Sequence, residues 1–389
     1  MSDSIHPFTL NVREADLDDL RRRLAATRWP DRETVDDWAQ GAPLDRVRAL
    51  VDYWRTDYDW RRCEAMLNSL GQYRTEIDGL GIHFLHVRSP HPGAMPLIMT
   101  HGWPGSVIEF HKVIGPLTDP VAHGGSAADA FHVVAPSLPG YGFSDKPTRA
   151  GCNIARIAEM WAELMRRLGY ERYVAQGGDW GSAVTTALGA MRAPGLAAIH
   201  LNTVMTIPPK RSDNPDAAEK AAWDAIADYQ RHGAGYSKQQ STRPQTLAYG
   251  LADSPAGQAA WIYEKFREWA DCDGMPENVF SRDELLDNIM LYWLPNNAAS
   301  AARLYWESFR ERPRKVDLPV GCSLFPRELS RPPRAWAEAM FSKLIHWNAP
   351  PRGGHFPAFE QPGLFVEEVR NCFRSMRTTA PAATAAEAN

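Results

Sequence analysis

The residue in this sequence best placed for covalent chemistry is an aspartate at the tip of a glycine-flanked turn. Gly177-Gly178-Asp179-Trp180-Gly181 follows an apolar, strand-like run, Tyr173-Val174-Ala175-Gln176, and leads into the small residues Ser182-Ala183-Val184-Thr185-Thr186-Ala187-Leu188. That order reads as strand, sharp turn, helix. Such an elbow holds its central residue at a strained φ/ψ, so the neighbours must be small, and its side chain projects into a pocket above a sheet. The position commonly carries serine or cysteine. A carboxylate is already ionised at pH 7 and needs no base to activate it, which leaves a partner histidine free to activate water.

An ester formed on Asp179 needs backbone donors for the oxyanion that appears when water attacks it. One is the N–H of the following residue, Trp180, and the other comes from a loop after an earlier strand. His101-Gly102-Trp103-Pro104 fits that loop, because it follows the apolar run Leu97-Ile98-Met99-Thr100 and Gly102 permits close backbone approach. Trp103 is thus the expected second donor, and Trp103-Pro104 is a candidate cis bond. The water-activating base should be a histidine late in the chain, after an acid. Of twelve histidines, His355 meets that criterion, in the glycine-rich run Arg352-Gly353-Gly354-His355-Phe356 after the last expected strand. Its orienting carboxylate should follow the preceding strand, where Glu328 stands in Phe325-Pro326-Arg327-Glu328; Asp317, which precedes that strand, is the weaker alternative.

The elements that must position these groups are legible as patterns. Leu17, Leu20 and Leu24 mark one helix before Trp29-Pro30, and Leu44, Val47, Val51 and Trp54 mark a second. Tyr73 to Ile77 and Ile82 to Val87 form an expected hairpin around Asp78-Gly79-Leu80-Gly81. Strand and helix signals then alternate, with strands at Leu97 to Thr100 and Phe131 to Ala135 and a helix over Ile157, Trp161, Leu164 and Leu168. The expected class is α/β, a mostly parallel sheet covered by helices, with ligands bound beyond the strands' C-terminal ends. From about Met205 to Leu318 only helical signals remain, which predicts an inserted helical cap. Strands resume at Val320 to Phe325 and Lys343 to Trp347, and a helix over Gly363 to Phe373 closes the fold. The organisation is read as a lead-in over 1–90, a core over 91–204 and 319–377 split by a cap over 205–318, and a disordered tail over 378–389.

Composition narrows the partners. The 389 residues are 44% hydrophobic and 23% charged, with a net charge of -4 and no long basic run, which argues against nucleic acid and for a small, uncharged substrate. Five scattered cysteines without CxxC spacing imply free thiols in a reducing compartment. No signal-peptide pattern is present, and no uncharged apolar stretch approaches the roughly 18 to 20 residues that span a bilayer. A cytoplasmic protein with no membrane span is expected, and a homodimer is compatible with these features. No cofactor or metal is implied. His83 and His86, three apart on a strand, face opposite ways, and Asp271-Cys272-Asp273-Gly274 lacks the further ligands and closing Glu of a calcium loop.

Taken together, Tyr53-Trp54-Arg55-Thr56-Asp57-Tyr58-Asp59-Trp60-Arg61, His101-Gly102-Trp103-Pro104-Gly105-Ser106, Gln176-Gly177-Gly178-Asp179-Trp180-Gly181-Ser182 and Arg352-Gly353-Gly354-His355-Phe356 carry a resemblance. The chain resembles, over nearly its whole length, the α/β-hydrolase epoxide hydrolases of the microsomal and juvenile-hormone type, which have an N-terminal extension. The resemblance implies conversion of a small-molecule epoxide and water to a vicinal diol through an ester on Asp179. It also implies two cap tyrosines on the epoxide oxygen, here similar to Tyr236 in Gly235-Tyr236 and Tyr305 in Arg303-Leu304-Tyr305-Trp306-Glu307, with Tyr229 and Tyr249 as alternatives to Tyr236. A phenol suits that task, since the oxygen needs a neutral donor as its C–O bond breaks. Where microsomal members have a membrane anchor, this chain opens on a polar segment, which turns the expectation away from bilayer-dissolved epoxides.

Two rival functions use the same residues. A haloalkane dehalogenase shares the Asp, the following Trp and the His, but a leaving halide calls for indole or amide N–H donors rather than phenols. A pure binding protein would have no use for a water-activating base.

Overall fold

The computed structural model describes residues 3–312 and 314–377. The tail expected to be disordered, 378–389, lies outside the described residues. A nine-stranded sheet runs through the protein in the order β1-β2-β3-β5-β4-β6-β7-β8-β9. Its antiparallel edge is β1 (Ile5–Pro7), β2 (Gln72–Ile77) and β3 (Leu80–Val87), and β3 pairs antiparallel with β5. The remaining strands, β4 (Met95–Thr100), β5 (Phe131–Pro136), β6 (Tyr173–Gly177), β7 (Leu196–Leu201), β8 (Val316–Ser323) and β9 (Phe341–Asn348), are mutually parallel. The hairpin register pairs Ile77 with Leu80, leaving Asp78 at φ 54° and Gly79 at φ 76° as its two turn residues. Two consecutive positive φ values are what a tight hairpin requires, and the Asp-Gly pair supplies them.

Helices fill every crossover, which is why the parallel strands are apolar on both faces. The lead-in is α1 (Glu14–Ala25), α2 (Leu44–Thr56) and α3 (Trp60–Ser69); α4 (His111–Thr118) follows β4, α5 (Ile154–Arg167) follows β5, and α6 (Trp180–Ala190) follows β6. Leu17, Leu20 and Leu24 of α1 and Val47, Val51 and Trp54 of α2 are buried, as their spacing predicts. Asn153 caps α5 by accepting from the Arg156 N–H.

Between β7 and β8 the chain is helical: α7 (Ala217–Asp228), α8 (Gly235–Thr242), α9 (Pro244–Asp253), α10 (Pro255–Trp269), α11 (Arg282–Trp293) and α12 (Ala298–Ser308). After it come α13 (Arg334–Met340) before β9, then α14 (Pro357–Glu360) and α15 (Pro362–Phe373). Outside the helical insertion, β1, β7, α3, α4, α13 and α14 had no counterpart in the sequence reading. Asp59, whose side chain accepts from the Arg61 N–H, was the available signal for α3. Strand β8 also begins earlier than expected, so Asp317 lies inside it rather than before it. No helix among the described residues is long and apolar enough to cross a membrane, and all five cysteines are free thiols.

Candidate active site

Four strands of the parallel sheet, β4, β6, β8 and β9, end at one rim, and the loop after each delivers a side chain or backbone group there. Asp179 follows β6 and stands at φ 48°, ψ -127°, a left-handed backbone that costs a non-glycine residue energy and fixes the direction of its side chain. Small neighbours are obligatory. A Cβ on Gly177 would meet Gly181 O at 2.1 Å, and one on Gly181 would meet Thr100 O at 1.8 Å. Asp179 N–H donates to Thr203 Oγ1 at 3.0 Å, which anchors the elbow to the end of β7.

The loop after β4 closes on the carboxylate. Trp103 N–H donates to Asp179 Oδ1 at 2.8 Å, and Trp103-Pro104 is cis. A Cβ on Gly102 would meet Asp179 Oδ1 at 2.0 Å, so glycine is what permits this approach. Buried His101 holds the loop: Leu138 N–H donates to its Nε2 at 3.2 Å, so Nδ1 carries the proton and donates to Gly102 O at 3.0 Å. Burial lowers its pKa to about 4, which keeps it neutral. Trp180 opens α6, where its N–H is among the donors that no intrahelical carbonyl reaches.

His355, after β9, stands between two carboxylates. Its Nδ1 lies 2.9 Å from Glu328 Oε1 and its Nε2 lies 3.4 Å from Asp179 Oδ2. Burial alone would lower its pKa, but Glu328 and Asp179 override that and hold it well above the usual histidine value. Glu328, in the turn after β8, also accepts from Thr203 Oγ1 at 2.7 Å and from the Leu329 N–H at 2.6 Å. Asp317 is not part of this cluster; it is exposed and pairs with Arg192 at 2.8 Å.

Helices α8 and α12 bring two phenols over the carboxylate. The Tyr236 ring stacks on Trp103 at 4.9 Å, and Tyr305 meets Trp180 edge-on at 4.8 Å. Burial first, then neighbouring phenols and Asp179, push both phenol pKa values well up, so each keeps its proton. Tyr229 donates to Tyr236 Oη at 3.3 Å, which leaves the Tyr236 proton available to another acceptor. Tyr249 is 71% exposed and outside the site. A cavity of about 630 Å³ reaches Asp179, His355, Tyr236 and Tyr305, with Ile226, Met205 and Trp336 among its apolar walls. That volume suits a drug-sized apolar ligand.

Several residues that build the site carried no local signal. Thr203 joins the elbow to Glu328. On α11, Asn288 Nδ2 donates to Pro104 O at 2.8 Å and Tyr292 Oη donates to Gly105 O at 2.6 Å, so the helical insertion holds the Trp103 loop. The lead-in grips the same helix: Tyr58 Oη and Arg62 Nη2 reach Asp287 Oδ1 at 2.8 and 2.7 Å. Glu360 accepts from the N–H groups of Asp271, Gly354 and Phe356 and so clamps the His355 loop; burial raises its pKa to about 7.

Comparison with known proteins points one way. Residues 5–110 match the family described as epoxide hydrolase N terminus, and residues 95–260 match the alpha/beta hydrolase fold. The sequence is 61% identical over 377 residues to a Stigmatella aurantiaca protein that carries epoxide hydrolase as a provisional name, covering 96% of this chain and 86% of that one. It is 34% identical to epoxide hydrolase 1 of Sus scrofa, covering 95% of this chain and 88% of the relative. The juvenile hormone epoxide hydrolase of Bombyx mori superposes with a TM-score of 0.85 at 30% identity, covering 96% of each chain.

Proposed function

This chain belongs to the epoxide hydrolases of the α/β-hydrolase fold, enzymes that add water to an epoxide to give a vicinal diol, and from that premise we propose the roles of its residues. Asp179 Oδ2 attacks an epoxide carbon, because Oδ1 is engaged by the Trp103 N–H. The C–O bond breaks, and the released oxygen, held by Tyr236 and Tyr305, takes a proton from one of them. An alkyl ester of Asp179 results. His355 then removes a proton from water, and the new hydroxide attacks the ester carbonyl carbon. The N–H groups of Trp103 and Trp180 hold the oxyanion. Its collapse expels the diol oxygen, which takes the proton from His355. Asp179 emerges as the acid and returns its proton to His355, whose own proton has restored the phenol.

The observation that carries this reading is the pair of contacts on one carboxylate: 2.8 Å from Trp103 N to Oδ1 and 3.4 Å from His355 Nε2 to Oδ2. Each oxygen already faces the partner it needs in the second step. Ester formation also removes the Asp179 charge, one of the two carboxylates that hold His355 protonated. With that charge gone, the His355 proton passes to the phenolate left by ring opening, and the neutral imidazole is then the base that the second step requires.

A single turnover in heavy-oxygen water with enzyme in excess tests the route. The label should enter Asp179, located by peptide mass spectrometry. Label found in the diol with none in Asp179 would mean direct attack of water and would end the covalent reading.

A further inference from the structure

Asp179 and His355 line two cavities. One is the large cavity beneath the tyrosines; the other, on the side of the Trp103 loop, is a small space of about 10 Å³, close to what one water centre needs. A water is retained where two to four polar partners converge. This space offers His355, Asp179, Asn202, His101 and Glu109, with Phe356, Phe365 and Ala358 as apolar walls; His101 already spends both ring nitrogens on Leu138 N–H and Gly102 O.

We propose that this small cavity is the seat of the hydrolytic water and that Glu109 is its positioning residue. The proposal rests on the ester mechanism above and goes beyond it by assigning the water a place and a third partner. Water there donates one hydrogen to His355 Nε2 and the other to the Glu109 carbonyl oxygen. Its lone pair then points at the Asp179 carbonyl carbon. His355 takes the first proton as the O–C bond forms, and Glu109 neither gains nor loses one.

The immediate alternative is a helix cap. Ser106 opens the turn Val107–Phe110, accepting from the Ile108 N–H with its side chain, and Glu109 sits three residues on, where a capping carboxylate belongs. Capping accounts for a glutamate at this position but not for its surroundings. Glu109 is buried against the catalytic pair, and its Oε1 fills the space of a Gly105 side chain: a Cβ there would lie 1.4 Å away. Gly102 and Gly105 of one loop thus each make room for a carboxyl group, Asp179 and Glu109 respectively. Burial raises the Glu109 pKa to about 8, so at neutral pH it is a neutral acid that orients water without repelling Asp179.

The test separates the two half-reactions with styrene oxide as probe. Alkylation is followed by the fluorescence of Trp103 and Trp180, and ester breakdown by single-turnover quench. Glu109→Ala should slow ester hydrolysis by about 100-fold and leave alkylation within about 3-fold, so that ester accumulates. Glu109→Gln keeps a carbonyl acceptor and should recover hydrolysis to within about 10-fold of the parent enzyme. Gly105→Ala, which displaces the Glu109 carboxyl group, should reproduce the Ala phenotype and guards against misfolding of Glu109→Ala. Equal loss in both steps, unchanged hydrolysis, or no recovery with Gln would each overturn the proposal. Failure of the parent enzyme to form ester would instead strike the mechanism beneath it.

Discussion

Two clusters that pair histidine with a carboxylate lie on or just beyond β8 and β9, and only one of them has the wiring and access that the proposed chemistry needs. In the first, His355 faces Glu328 and Asp179. In the second, His200 Nε2 lies 2.9 Å from Ser323 Oγ, and Ser323 donates to Glu368 Oε2 at 2.5 Å. His346 and Asn348 also contact Glu368, at 2.8 and 2.6 Å. A serine, histidines and a carboxylate are all present, yet the wiring is reversed. Ser323 gives its proton to Glu368, so His200 must donate to the hydroxyl rather than accept from it, whereas a nucleophilic serine needs the opposite. Burial holds the His200 pKa at about 3, and its Nδ1 is buried without a partner. None of Ser323, His200 and Glu368 lines either cavity. Residue types do not make a site; proton direction and access do.

The sharpest way to break this contrast is to remove the proposed nucleophile. Asp179→Asn should lower kcat with an epoxide by about 10⁴-fold or more and abolish ester formation, read by mass spectrometry of the trapped enzyme. His355→Gln should come next, with ester breakdown slowed by about 10³-fold while the ester still forms, seen as a burst without turnover. The pair Tyr236→Phe with Tyr305→Phe should cut the alkylation rate by roughly 10² to 10³-fold, because both donors to the developing oxygen charge are gone. Unchanged alkylation would show that other groups hold that oxygen.

The second cluster should answer in stability and not in rate. Glu368→Gln should leave kcat within about 3-fold but destabilise the fold by roughly 3 kcal/mol, measured by urea unfolding. Burial alone would raise the Glu368 pKa, but hydrogen bonds from His346, Ser323 and Asn348 outweigh it and hold the group at about 2. A carboxyl group depressed from an ordinary value of 4.5 contributes stability that is full above that value and is lost as pH falls towards about 2. Acid unfolding of the parent should therefore steepen across that window, and Glu368→Gln should flatten it.

Legibility divided along the same line. Asp179 announced itself because an elbow is a local device: Gly177, Gly181 and the flanking strand and helix stand next to it in the chain. His355 and Glu328 were found from chain order, since parallel strands deliver their C-terminal ends to one rim in a fixed sequence. Tyr236 and Tyr305 came from resemblance, because a tyrosine on a helix looks the same whether it packs or donates. Strand β7 escaped notice, carrying two alanines and His200 where larger apolar residues were expected, and that histidine is explained only by Ser323 across the sheet.

What the sequence determined alone was therefore the chemistry available: a carboxylate in a strained turn, a late histidine, an acid before it, and a mostly parallel sheet to hold them. Whatever depends on groups far apart in the chain was decided by the fold. Thr203 links the elbow to Glu328, Asn288 and Tyr292 fix the Trp103 loop, and Glu109 turns inward against Gly105. Periodicity reports which face of an element is apolar, but a hydrogen bond or a shifted pKa depends on which groups end up within a few ångströms, and only packing sets that.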